Sequence, residues 1–123
     1  MPESKHDRTP VMCAQAQLDA YNARDIDAFA SVYADDVVLV DLATGVAFVN
    51  GKDELYARYH ALFAGHHDLH CSLTSRIDCP PFVIDEEHVT GMAPGVTVHA
   101  VATYECRNGL IQRAWFLRQE LSS

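Results

Sequence analysis

The chain has 123 residues, of which 49% are hydrophobic and 21% are charged, and this composition is typical of one folded domain rather than a disordered, fibrous or membrane-spanning chain. Seventeen acidic residues against nine basic ones give a net charge of -8, which makes nucleic acid and anionic membrane poor partners. Residues 1–9 are polar and contain no apolar run typical of a secretory signal or a membrane helix. We therefore expect a polar arm over residues 1–9 and a single domain over residues 10–121, located in the cytosol.

The first half of the chain has helical patterns. Apolar residues recur at steps of three and four from Pro10 to Ala23, which predicts a helix. Asp25 is placed to cap a second helix that continues through Tyr33 and is closed by the acidic pair behind it. Gly51 precedes a third helical pattern, which ends near Gly65.

The other segments are rich in β-branched residues and are separated by turn sequences. Val37–Leu42 and Val46–Val49 flank an Ala-Thr-Gly turn and predict a hairpin. Helices that come first, followed by a long antiparallel meander, favour an α+β fold in which a curved, mainly antiparallel sheet wraps around the helices and encloses a pocket. Four further strands are predicted, over Leu69–Ile77, Phe82–Thr90, Val96–Cys106 and Leu110–Leu121.

The four cysteines, Cys13, Cys71, Cys79 and Cys106, have irregular spacings without a CxxC motif. In a reducing compartment such residues are normally buried free thiols, and we expect no structural disulfide. The sequence also lacks a Walker loop, a glycine-rich dinucleotide turn, a nucleophile elbow and an HExxH motif. We therefore expect no nucleotide cofactor.

Two clusters of titratable residues have spacings that match no known metal-binding motif. His66, His67 and His70 lie next to Cys71 at a helix-to-strand junction, which spreads the side chains in different directions. We expect a solvated polar loop there rather than a metal site. The acidic run over residues 85–87 is interpreted in the same way, as a solvated turn and not a cation site.

Several runs of residues together resemble a known superfamily. They are LDAYNARDIDAF from Leu18, VYADDVVLVD from Val32, the glycine that opens a helix at Gly51, and YECRNGLIQ from Tyr104. The chain from about residue 10 to 120 resembles nuclear-transport-factor-2-like proteins, and within them the SnoaL-like and ketosteroid-isomerase-like proteins. This resemblance implies a cone-shaped α+β fold with an apolar cavity, usually in a dimer. Members include isomerases, cyclases, dehydratases and non-catalytic binding modules, so the fold alone does not assign a function.

The resemblance implies a role for Asp41. In the isomerases a general-base aspartate lies near the end of the first strand, and the spacing here puts that position on Asp41. If this carboxylate faces inward among Leu39, Val40 and Leu42, poor solvation raises its pKa and makes it a better proton acceptor near neutral pH. The alternatives are that Asp41 caps the turn that follows or lies on the surface.

The resemblance also implies hydrogen-bonding groups in the pocket. Tyr33, on the second helix, and Tyr59, on the third, match the hydrogen-bonded tyrosines of the isomerases, although both also fit as core residues. The oxyanion hole of those isomerases, a tyrosine and a protonated aspartate, falls on Gln17 and on a position next to His99. An amide is a weaker acid than a phenol, so the departure makes a true steroid isomerase a poor match.

The last strand has two alternating phases. One contains Trp115 and Leu117, the other contains Phe116 and Arg118, and the resemblance points the second phase inward. Arg118 at the pocket would favour a ligand with a carboxylate or enolate through a forked, charge-assisted contact. The alternative is a salt bridge at the rim or at a dimer interface.

Two hypotheses follow. The first is a small dimeric pocket protein without metal or nucleotide, which binds an apolar ring or acyl compound and uses Asp41 to move a proton next to a carbonyl. Gln17, Tyr59, His99 or Arg118 would then supply the hydrogen bonds that stabilise the developing charge. The second is a non-catalytic ligand-binding or assembly module of the same fold.

Overall fold

Three helices and six strands make up the part of the chain that the structure, a computed structural model, describes, residues 7–122. The predicted polar arm over residues 1–9 lies outside the described residues except for residues 7–9. The helices are α1 (Pro10–Ala23), α2 (Ile26–Ala30) and α3 (Lys52–Gly65), and the strands are β1 (Tyr33–Asp41), β2 (Ala47–Asn50), β3 (His70–Cys79), β4 (Phe82–Thr90), β5 (Val96–Arg107) and β6 (Leu110–Ser122).

Side-chain caps fix the starts of the first two helices. The Thr9 hydroxyl accepts a hydrogen bond from the Met12 N–H at 3.2 Å, and the Asp25 carboxylate accepts one from the Ala28 N–H at 3.1 Å, as predicted for Asp25. Between the helices Arg24 takes a left-handed conformation with φ 53°, which ends α1. The face of α1 that turns toward the sheet buries Cys13, Ala14, Gln17, Leu18 and Ala20.

The prediction that the second helix continues through Tyr33 is wrong. This helix ends at Ala30, and β1 begins at Tyr33. The reason is tertiary: the Ile111 N–H donates to the Val32 carbonyl at 2.9 Å, and Tyr33 pairs with Ile111 in a parallel arrangement of β1 and β6. The acidic residues 35–36 therefore lie exposed within β1 instead of closing a helix.

The strands form one six-stranded sheet in the order β2-β1-β6-β5-β4-β3. Its neighbours are antiparallel except for β1 and β6, which confirms a mainly antiparallel α+β fold. The Asn-Gly pair between β5 and β6 forms the predicted hairpin turn, in which Asn108 and Gly109 both have positive φ. Within the described residues, no helix has the length and apolarity that a membrane crossing requires.

Alternation along the strands divides the side chains between two faces of the sheet. The inner face packs against the helices, and the outer face turns away from them. On β6 the phase that contains Phe116 points inward, as the resemblance implied, and Trp115 and Leu117 point outward. The inner face of β4 and β5 carries Val83, Asp85, Glu87, Val89, Val98, Ala100, Ala102 and Tyr104.

Candidate functional site

A cavity of about 480 Å³ lies between the inner face of the sheet and the helices. This volume is within the range of sites that hold small organic molecules. Most of its wall is apolar, with polar groups from a few side chains. Aromatic rings make up much of the wall, contributed by Tyr21, Phe29, Tyr33, Tyr59, Tyr104 and Phe116.

The cavity exists because the sheet presents small side chains at its centre. Ala100 on β5 is paired with Glu87 on β4 and with Arg118 on β6, so the three residues form one row across the inner face. The next inward residue along β5 is Ala102, which is also small and fully buried. Of these two residues Ala100 lines the cavity, and its methyl group in place of a large side chain leaves room between the sheet and the helices.

Glu87 is the one acidic residue among the described residues that line the cavity, and only 6% of it is exposed. Burial raises the pKa of Glu87 to about 7, and the charge of Asp85 adds to this rise. A hydrogen bond from the Cys71 thiol and the charges of Arg76 and Arg118 oppose it. Burial also raises the pKa of the Cys71 thiol, which keeps it protonated as a donor.

Asp85, two residues earlier on the same face, has a different environment. Its carboxylate accepts two hydrogen bonds from the Arg76 guanidinium, at 2.7 and 2.9 Å, and a third N–H of Arg76 donates to Gln15 at 2.9 Å. This bidentate pair compensates the charge of Asp85. Glu87 differs from Asp85 in that no lysine or arginine nitrogen of the described chain lies within 4.0 Å of its carboxylate oxygens.

Tyrosines and one glutamine supply further polar groups. The Tyr33 hydroxyl donates toward the Gln17 side-chain oxygen at 3.5 Å, and the Gln17 amide donates to the Ala14 carbonyl at 3.1 Å. Burial raises the pKa of Tyr33 and Tyr104 well above the ordinary value. These hydroxyls are therefore neutral in water near pH 7 and act as hydrogen-bond donors or acceptors, not as charged groups.

Two arginines line the exposed side of the cavity. Arg58 comes from α3 and Arg118 from β6, and both side chains are solvent-accessible. Burial raises the pKa of Tyr59, and the charges of Arg118 and Arg58, together with a hydrogen bond from Arg118, oppose this rise. The mouth of the cavity is therefore positive, although the chain as a whole is acidic.

Of the residues that the sequence suggested for the site, the structure brings five together and places two elsewhere. Gln17, Tyr33, Tyr59, Phe116 and Arg118 line the cavity. The structure places Asp41 outside this lining: its carboxylate accepts a hydrogen bond from the Ala43 N–H at 3.0 Å and caps the turn between β1 and β2. This is the arrangement that the sequence left open as an alternative.

His99 also lies away from the cavity. It is paired with His88 across β4 and β5, and the two rings stack on the outer face of the sheet with centroids 5.0 Å apart. The Nε2 atom of His99 lies 2.7 Å from a Glu86 carboxylate oxygen. The register thus turns Ala100 inward and His99 outward, which a one-residue shift would reverse.

The residues of the histidine-rich junction lie in different environments. His66 lines the cavity, and its Nδ1 atom lies 2.9 Å from the Leu62 carbonyl oxygen. Cys71 points into the cavity, whereas His67 and His70 are exposed. Over residues 7–122, no group of three or more histidine, cysteine, aspartate or glutamate residues is arranged to hold a metal ion.

Two residues of the cavity, Glu87 and Arg58, were not predicted from the sequence. The interpretation of residues 85–87 as a solvated turn is wrong, because they lie within β4 and both Asp85 and Glu87 are buried. One feature of the sequence pointed to this: Glu87 lies in the same alternating phase as Val83 and Val89. Arg58 is flanked by polar and apolar residues alike, and nothing in its sequence neighbourhood indicates a cavity.

Comparisons with known proteins agree on the fold. The model of a family described as a SnoaL-like domain matches residues 14–114. A solved structure of an uncharacterized cystatin fold protein from Novosphingobium aromaticivorans is 26% identical, with a TM-score of 0.82 over 90% of this chain and 99% of that one. No curated protein matches the sequence.

Two further solved structures are of proteins that are described by a putative activity. A putative ketosteroid isomerase from Kribbella flavida is 19% identical, with a TM-score of 0.77 over 90% of this chain and 78% of that one. A putative SnoaL-like polyketide cyclase from Shewanella denitrificans is 16% identical, with a TM-score of 0.73 over 89% of this chain and 90% of that one. At these identities the similarity shows the shared fold and no common reaction.

Proposed function

The chain belongs to the SnoaL-like domain family, and we propose that it is a small-molecule pocket protein in which Glu87 moves a proton next to a carbonyl group of an apolar ligand. The observation that carries this proposal is a carboxyl group with a pKa of about 7, buried in an aromatic cavity. Asp41 caps a turn and lies outside the cavity lining, so the role of base that the sequence suggested for Asp41 is proposed for Glu87.

A pKa near 7 suits a group that must both take and return a proton. At neutral pH a fraction of the molecules carries the carboxylate, which acts as the base, and the resulting acid gives the proton back. Removal of a proton from the carbon next to a carbonyl leaves negative charge on the carbonyl oxygen. We assign the stabilisation of this charge to the hydroxyl of Tyr59, which lines the same cavity.

The aromatic rings of the cavity wall are evidence for an apolar ligand. Phe29 packs against Tyr33, Tyr59 and Phe63, with ring centroids between 4.7 and 5.5 Å apart, so the wall at this end is held in place by its own contacts. A preformed wall lowers the cost of ordering on binding. It also excludes water from the base, which keeps the pKa of Glu87 raised.

The experiment that tests the proposal is deuterium exchange of 2-tetralone, an apolar ring ketone with acidic protons next to its carbonyl. We expect the protein to accelerate exchange in D₂O above the buffer rate, measured by proton NMR, and Glu87→Gln to reduce the rate to that of buffer. Glu86→Gln is the matched control, because this neighbouring glutamate lies on the outer face. A wild-type rate equal to that of buffer would favour the non-catalytic binding module instead, and accelerated exchange that survives in Glu87→Gln would assign the role of base to another residue.

We further propose that the chain forms a homodimer, as the resemblance implies. Three apolar side chains on the described part of the chain support this: Ile77, Leu117 and Leu121 are between 38% and 57% exposed. Leu117 and Leu121 lie on the outer face beside Trp115, away from the cavity. In analytical ultracentrifugation we expect the wild type to sediment as a dimer and Leu117→Lys to sediment as a monomer. A monomeric wild type would contradict the proposed homodimer.

The proposed compartment is the cytosol. Cys13, Cys71, Cys79 and Cys106 are free thiols, which agrees with a reducing environment. Localisation of a tagged full-length chain tests this directly.

A further inference from the structure

The mouth of the cavity concentrates positive charge on an acidic protein. Arg58 and Arg118 reach it from opposite walls, α3 and β6. Both guanidiniums lie over the ring of Phe48, with distances of 4.7 and 5.5 Å from the central carbon to the ring centroid. The guanidinium of Arg118 also lies 4.9 Å from the centroid of the Phe116 ring. Both guanidiniums thus share a cation–π contact with the ring of Phe48.

Neither guanidinium forms a salt bridge in the part of the chain that the structure describes. Among the described residues no carboxylate oxygen lies within 4.0 Å of either guanidinium, although the chain has 17 acidic residues. The acid of the lining, Glu87, lies deeper and lacks such a contact. Both arginines line the same cavity, so an anionic group of a ligand would be attracted by two positive charges. The arrangement therefore fits an anionic group from a ligand.

The rest of the cavity limits the size and polarity of that ligand. The inner wall is mainly aromatic, and the whole volume is about 480 Å³. A guanidinium is planar and binds a carboxylate with two parallel hydrogen bonds. A compact ligand with one charged end and one apolar end would place the charge at the mouth and the apolar end inside.

We propose that the ligand is an aromatic or alicyclic keto acid whose carboxylate is bound at the mouth by Arg118 and Arg58 while its ketone reaches Glu87. This inference rests on the proposed function, because it names the substrate class of the same site. The row Glu87–Ala100–Arg118 gives the required separation: adjacent strands lie about 4.8 Å apart, so the backbones of the two charged residues are about 10 Å apart. The two functional groups of a short keto acid fit between their side chains.

The test compares two probes of the same shape, 3-benzoylpropionate, which is an anion, and 3-benzoylpropionamide, which is neutral. We expect the carboxylate to bind about tenfold more tightly than the amide by isothermal titration calorimetry. The preference should fall as the salt concentration rises, because the arginines are accessible to solvent. Equal affinities, or no measurable binding of the carboxylate, would overturn the proposal.

Variants identify the residues responsible. We expect Arg118→Gln to remove the preference for the carboxylate while it changes the affinity for the amide by less than about twofold. Arg58→Gln should reduce the same preference. Arg113→Gln is the matched control, because Arg113 is an exposed arginine of the same strand that points to the outer face. A preference that survives both cavity variants, or falls equally in Arg113→Gln, would show that this site is not responsible.

The same probes separate this inference from the proposed function. Glu87→Gln should abolish proton exchange on 2-tetralone yet retain or improve binding of 3-benzoylpropionate, because it removes a like charge from the cavity. If exchange depends on Glu87 but the carboxylate binds no more tightly than the amide, only the proposed substrate class is overturned. If the carboxylate is preferred and the preference depends on the arginines, but the protein does not accelerate exchange, proton transfer is overturned. The cavity would then be a site that binds organic acids.

Discussion

Glu87 and Arg118 lie in one row across the sheet because each is paired with Ala100, from β4 and from β6 respectively. The methyl group of Ala100 is the only side chain between them on the inner face. A carboxyl group and a guanidinium are thereby presented to one space without forming a salt bridge to each other. This relationship defines the candidate site more closely than the size of the cavity does.

Ala100→Leu tests whether this space holds the ligand. Leucine adds three carbon atoms between Glu87 and Arg118, so we expect binding of 3-benzoylpropionate to weaken by about tenfold or more and exchange on 2-tetralone to be lost. The free energy of unfolding should change little, because the added atoms enter a cavity and not a filled core. Val101→Leu, on the outer face of the same strand, is the control and should bind normally. Normal binding by Ala100→Leu would place the ligand elsewhere.

The raised pKa of Glu87 predicts a pH dependence of stability. A folded-state pKa of about 7 exceeds the ordinary value of 4.5, so the folded protein holds this proton more tightly than the unfolded chain. The stabilisation is complete below about pH 4.5 and is lost as the pH rises through 7. Removing the ionisable group in Glu87→Gln should therefore stabilise the protein above pH 7, on the order of 2–3 kcal/mol, relative to the wild type.

Urea unfolding of the wild type and Glu87→Gln between pH 5 and pH 8 measures this effect. The difference in the free energy of unfolding should grow with pH across this range. Glu120→Gln, which changes an exposed glutamate of β6, should show no such trend. A pH-independent difference for Glu87→Gln would mean that its carboxyl group is not desolvated in the folded protein.

The buried pair of Arg76 and Asp85 should matter for stability and not for binding. Arg76→Gln leaves the fully buried Asp85 carboxylate without its bidentate partner, and we expect a loss of about 3–5 kcal/mol in the free energy of unfolding. Arg107→Gln removes a comparable hydrogen bond from an exposed pair with Glu105, where a loss below about 1 kcal/mol is expected. Similar losses in the two variants, measured by urea unfolding at pH 7, would show that Asp85 is solvated.

The sequence predicted most of the fold because its local signals agree with the tertiary structure. The Asn108-Gly109 turn and the Asp25 cap are each determined by residues a few positions apart, and each is found where predicted. Tyr33 is the exception. Its helical spacing from Phe29 is real, but a parallel pairing with Ile111, far along the chain, determines its conformation. No local pattern contains that partner.

The site could be predicted only in part for a related reason. Asp41 and Glu87 are both acids among apolar neighbours on strands, and alternation alone does not say which face a strand presents. Asp41 lies at the end of β1, where its carboxylate reaches the Ala43 N–H of the turn. Glu87 lies in the middle of β4, where the residue itself and its partner Ala100 both face the helices. The distinction depends on register across three strands, which the sequence does not state.

Asp41→Asn is the variant that compares the two candidate bases directly. Asparagine keeps a side-chain oxygen that can accept from the Ala43 N–H, so we expect the turn and the stability to be retained to within about 0.5 kcal/mol. Since Asp41 lies outside the lining of the cavity, exchange on 2-tetralone should remain within about twofold of the wild-type rate, whereas Glu87→Gln should lose it. Loss of exchange in Asp41→Asn with Glu87→Gln unaffected would return the role of base to Asp41, and would require the β1–β2 turn to open so that its carboxylate enters the cavity.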